Sequence, residues 1–174
     1  DRPVSGIMVY AKNPKAAASL STSLQQGKIE KWYQAVICGK PVDNNGTYVD
    51  YLKQDKKNNC SRIVDKSDPE SKRAELEYKV LDCIQTEEKD PQYLSLVEIK
   101  LLTGRHHQIR VQFSGHGTPL YGDGKYGNNE KAVRKSLALC ACHLKFKHPA
   151  TGKIMDFQIK PDTGAFKLLS KSND

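Results

Sequence analysis

Apolar residues in this chain recur mostly at every second position, with two stretches where the spacing lengthens to that of a helix. Residues 6–12 (Gly-Ile-Met-Val-Tyr-Ala-Lys) read as a short buried strand. Asn13 and Pro14 follow, a capping residue and a first-turn proline. Ala16, Leu20 and Leu24 then lie four apart, which predicts a helix over residues 15–26 with Gly27 as its stop. Residues 30–38 hold Trp32, Tyr33 and the run Ala35-Val36-Ile37, strand formers throughout. The turn signal Asn44-Asn45-Gly46 leads to a strand over 46–52, after which residues 53–72 are charged and short of large apolar side chains. That segment is expected to be an exposed excursion rather than a domain linker.

Residues 74–83 and 92–102 predict an antiparallel hairpin around the polar loop 85–91, and 137–146 with 153–159 predict a second one across His148-Pro149-Ala150-Thr151-Gly152. Between them Ile109 and Phe113 are spaced like one face of a helix, ended by Gly115-His116-Gly117-Thr118-Pro119. A glycine-dense loop, residues 122–127, comes next, and the tail from Pro161 is short and polar. Sequential strands with few helices predict a single α+β domain around a largely antiparallel or mixed sheet. No internal repeat is present.

Composition narrows the class. The 174 residues suit one core, and a net charge of +8 spread over several segments favours a polyanionic partner, most often nucleic acid. No apolar run reaches the roughly 20 residues of a membrane-spanning helix, and the first residues lack a signal-peptide pattern, so an intracellular, cytoplasmic protein is expected. Cys38, Cys60, Cys83, Cys140 and Cys142 are odd in number and lie in strand-like contexts, as free thiols do. Alternation sends Cys140 and Cys142 to one strand face and His143 to the other, which argues against a metal site.

One stretch does not fit a packing role. Thr103-Gly104-Arg105-His106-His107-Gln108-Ile109-Arg110 places two guanidiniums, two imidazoles and an amide at the junction of an alternating strand and a helix. Side chains at such a junction can converge on a ligand.

Four blocks resemble the RluA-type family of RNA pseudouridine synthases. Asp1-Arg2-Pro3-Val4-Ser5-Gly6 is similar to the end of the motif HRLDRxTSG, with Val4 where threonine is usual. Residues 31–39 are similar to the K-x-Y-x-A…G strand. Thr103 to Arg110 matches TGRxHQIR in full and is followed by Gly117-Thr118-Pro119-Leu120-Tyr121-Gly122-Asp123 and Tyr126-Gly127. Leu139-Cys140-Ala141, His143 and Phe146-Lys147-His148-Pro149 are similar to the LHA…FxHP segment, with Cys140 in place of histidine. The His-Arg-Leu that precedes the aspartate in the family, and a strand upstream of it, are not in this chain, so a piece of a longer protein is expected.

The resemblance implies the pseudouridine synthase fold and isomerisation of a uridine in structured RNA, ribosomal or transfer, on a flipped-out nucleotide and without a cofactor or metal. It makes Asp1 the essential carboxylate. Whether that carboxylate attacks C1′, adds to C6 or removes the C2′ proton stays open. Arg105 is expected to pair with Asp1 and hold it ionised. Tyr33 is expected to stack on the uracil, although on an apolar strand a tyrosine alone would read as packing. His107, Gln108 and Arg110 are expected to support the site or touch phosphate. His106, at the motif's variable position, is expected to be exposed. Arg2 and Lys31 are expected to steer the RNA backbone, and Asp123 to order its own loop. No protein partner is implied, and a monomer is expected. The alternative is a non-catalytic RNA-binding domain of the same fold.

Overall fold

The computed structural model describes residues 1, 3–86, 92–127, 136–162 and 164–169. Its elements are β1 (Ser5–Gly6), α1 (Pro14–Gln25), β2 (Glu30–Cys38), β3 (Asn45–Asp55), β4 (Cys60–Val64), β5 (Lys72–Gln85), β6 (Tyr93–Leu101), α2 (Gln108–Gly115), β7 (Leu139–Lys147), β8 (Ile154–Gln158) and α3 (Phe166–Leu169). All eight strands join one mixed sheet in the order β1-β7-β2-β6-β5-β3-β4, with β8 also on β7. Every pairing is antiparallel except the short parallel contact of β1 with β7.

The centre of the sheet is buried on both faces, which is why Ala35, Val36 and Ile37 are all apolar and fully buried. On one face Ala35 and Ile37 pack with Leu76, Val97 and Ile99 against Ile109 and Phe113 of α2. On the other, Val36, Leu94 and Cys140 are covered by Ala165, Phe166 and Leu169. α3 thus lies in the tail read from sequence as merely polar; its buried Phe166 and Leu169 are what seat it.

Two other expectations change. The charged stretch 53–72 contains β4, which pairs with β3 from Tyr51↔Val64 to Asp55↔Cys60. Only Ser61 of β4 is buried, so the strand carries no run of apolar residues to betray it. The strand expected over 6–12 stops at Gly6. Beyond the bond from Ile7 N–H to the Ala141 carbonyl, the same edge of β7 is taken by β8 from His143 to Lys147. α1 forms as expected: Asn13 accepts from the Ala16 amide at 2.9 Å, and Gly27 at φ +67° ends the run.

Candidate active site

The start of the chain and the turn before α2 meet over β7. Gly6 makes this possible: at φ +122°, a β-carbon there would lie 2.3 Å from the Ala141 carbonyl oxygen, so only glycine allows β1 to lie so close. Ser5 adds a hydrogen bond from its hydroxyl to the Leu139 carbonyl. Asp1 is thereby carried to the N-terminal end of α2.

The turn itself is tied by one side chain. Gln108 is buried; its Oε1 accepts from the Thr103 hydroxyl at 2.8 Å and the Arg105 amide at 2.9 Å, and its Nε2 donates to the Glu75 carbonyl at 3.0 Å. Gln108 therefore shapes the site without having a free polar atom to offer a ligand. His107 caps the helix in the left-handed region, φ 54°, a conformation that costs energy for a side-chain-bearing residue and turns its ring toward Asp1.

Asp1 is held by Arg110, not by Arg105. Arg110 Nη1 donates to Asp1 Oδ2 at 2.7 Å, while its Nε and Nη2 form a bidentate pair with Asp123 at 2.8 and 2.7 Å. Arg105 precedes the helix, is exposed, and spends its Nε on the Arg73 carbonyl at 2.8 Å. The physical reason is position: Arg110 lies in the first turn of α2, where residues 108 to 113 are all buried, and so points into the protein.

Asp123 does order its own loop, accepting from the amides of Lys125 and Tyr126, and it also locks Arg110. Burial pushes its carboxyl upward, but the Arg110 guanidinium and these two amides prevail and hold it below the usual carboxylate range. Tyr126, whose ring lies under the Arg110 guanidinium at 5.1 Å, carries the support outward. Its hydroxyl accepts from Ser61 N–H at 2.8 Å and lies 2.7 Å from His107 Nδ1. With Tyr126 donating to Nδ1, the ring proton is on Nε2, 3.5 Å from Asp1 Oδ2. Burial, together with the cationic neighbours Arg110 and Lys125 and the adjoining His106, lowers His107 to about 4. It is a neutral donor at physiological pH.

His106 is half-buried rather than exposed, because both ring nitrogens engage the β3–β4 hairpin: Nδ1 with Ser61 Oγ at 2.9 Å and Nε2 with Asn59 Oδ1 at 3.1 Å. Tyr33 sits beside an irregularity in the β2–β7 ladder where Cys142 is the extra residue. Its hydroxyl has no partner among the described residues, and burial, then the nearby Cys142 thiol, raises its pKa, so it stays a protonated phenol.

One cavity of about 800 Å³ is lined by Asp1, Tyr33, Lys31, Arg105, His107, Gln108 and Arg110 among others. Every candidate from the sequence is there except Arg2, which lies outside the described residues. Sequence reasoning missed the Asp123–Arg110 pair, Tyr126 and the hairpin residues Asn59 and Ser61. Only Asp123 and Tyr126 left a signal, as neighbours in the glycine-dense loop.

A mixed sheet thus carries, where the start of the chain meets the first turn of α2, a carboxylate–guanidinium pair in an open cavity. The family model for RNA pseudouridylate synthase matches residues 1–115, and the chain belongs to that family, in its RluA-type branch. It is 33% identical to ribosomal large subunit pseudouridine synthase D of Zymomonas mobilis, over 99% of this chain and 55% of that protein. It is also 35% identical to an RNA pseudouridine synthase of Bacillus subtilis, YlyB, over 91% of this chain and 49% of that one. The chain thus spans about half the length of the curated relatives it matches. The fold is shared with human RNA pseudouridylate synthase domain containing 1, at TM-score 0.72 and 24% identity, covering 87% of this chain and 62% of that one.

Proposed function

We propose that this chain carries the reaction centre of an RNA uridine isomerase, with Asp1 as the reacting carboxylate. The observation that carries the reading is the asymmetry of Asp1, a residue of the cavity lining: Oδ2 is fixed by Arg110 at 2.7 Å, while Oδ1 has no hydrogen bond among the described residues. A carboxylate held by a guanidinium on one side and free on the other suits attack at C1′, addition at C6, or removal of the C2′ proton. In each route the N1–C1′ bond breaks, the uracil turns, C5 bonds to C1′, and the C5 proton is lost as N1 gains one. Tyr33, a protonated phenol on the cavity wall, supplies a stacking face and a hydrogen-bond donor rather than a phenolate base. Arg105 faces the same cavity and fits contact with the RNA better than pairing with Asp1.

The substrate is a structured RNA, ribosomal or transfer, with the uridine extruded, which costs a few kcal/mol and least from a loop. Such an RNA is found inside the cell, and the described lining of the cavity comes from one subunit, in keeping with a monomer. Tritium release from RNA labelled at uridine C5 tests the reading. Release is expected and is lost in Asp1→Asn; release that survives this substitution overturns the role of Asp1. Tight RNA binding with no release, from this chain and from longer versions extended before Asp1, would instead favour a binding domain of the same fold.

A further inference from the structure

A second groove, of about 620 Å³, opens beside the reaction cavity and shares Lys31, Leu101, Gly104 and Arg105 with it. It runs between the end of α1, at Leu24, Gln25 and Gly27, and the last residues of β6 with the turn that follows. Its charged residues are Lys31, Lys100 and Arg105 against a single carboxylate, Glu30. We infer that this groove is a phosphodiester-binding subsite, in which Lys31, at the junction with the cavity, and Arg105 take the backbone phosphates of a single strand of RNA adjoining the extruded uridine. The inference rests on the functional reading above and assigns the groove that reading leaves unused.

Three features support it. Lys31 is half-buried, yet its ammonium has no hydrogen bond or ion pair among the described residues. Burial lowers its pKa with nothing nearby to compensate, so the charge is costly unless an anion arrives. Gly104 keeps the ammonium accessible, since a β-carbon there would stand 3.3 Å from Lys31 Nζ. Arg105, tied through Nε to the Arg73 carbonyl, keeps both terminal amino groups free among the described residues, as suits bidentate contact with phosphate. Lys100, whose ammonium lies 5.6 Å from the Trp32 ring centre, continues the positive lining away from the cavity.

The test is the salt dependence of binding of a short fluorescein-labelled single-stranded RNA carrying one uridine, measured by anisotropy. Each lost phosphate contact lowers the slope of log affinity against log salt by about 0.7 on a single strand. Lys31→Met and Arg105→Met are each expected to show that decrease with several-fold weaker binding, and Lys153→Met, at an exposed lysine in the β7–β8 connection, is expected to show neither. A methylphosphonate placed at successive linkages beside the uridine should reveal one position where the wild type binds as Lys31→Met does and the variant is indifferent. An unchanged slope in Lys31→Met, or losses that simply add at every linkage, overturns the subsite. Lys31→Met is expected to melt no lower than the wild type; if it melts lower, Lys31→Arg decides, since restored slope keeps the subsite and unrestored slope removes it. Binding does not depend on turnover, and Asp1→Asn is expected to keep the wild-type slope. Failure of uridine isomerisation with the slopes as expected therefore counts against the reaction alone.

Discussion

Arg110 has two acidic partners in very different surroundings. On the inner side Asp123 is fully buried, and its two oxygens receive two bonds from Arg110 and two from backbone amides. On the cavity side Asp1 retains 19% side-chain exposure, takes one bond from the same guanidinium, and has a neutral imidazole at 3.5 Å. A fully satisfied carboxylate can only hold; one with a spare oxygen can react. The same residue type is thus made structural or chemical by the number of donors it is given.

Exchanging each acid for its amide should separate the two sides most sharply. Asp1→Asn is expected to lower uridine isomerisation at least about a thousandfold while stability stays within about 1 kcal/mol. Asp123→Asn is expected to cost about 3 kcal/mol in urea unfolding, because it unbalances a buried pair. Arg110→Met removes the bridge from both sides, with about 3–5 kcal/mol of stability lost and no measurable turnover; retained stability would mean the buried carboxylate finds another partner.

His107 sharpens the cavity side through pH. Its folded pKa of about 4 lies below the ordinary 6.5, so on acidification the unfolded chain takes up the proton first. Its contribution is complete above about pH 6.5, falls away toward pH 4 and is flat below. Urea unfolding of His107→Gln should show a shallower decline than the wild type across that window. The smallest effect belongs to His106→Ala, which frees the hairpin at Asn59 and Ser61 and is expected to cost about 1 kcal/mol. Faster amide exchange confined to β4 would locate it there.

Much of this was legible from residues. The extent of β2, the hairpins β5–β6 and β7–β8, and the Asn13 cap of α1 follow from alternation and turn chemistry. β1 was overread because propensity cannot see that β8 occupies the edge it would have used. β4 and α3 were missed because their placement comes from long-range partners. At the site, membership of the cavity was readable from the motif, but the identity of the Asp1 partner was not: two arginines five residues apart differ only in which one the helix turns inward.

The bond between Arg110 and Asp1 joins residues 109 positions apart. Closing so long a loop is entropically slow, and β1 offers only two residues of pairing to hold the closure once made. The proposed reaction centre is therefore expected to be among the last parts to form after denaturant is removed. Refolding followed by Trp32 fluorescence should finish before turnover returns, so that for a short interval the molecule is folded and cannot yet react.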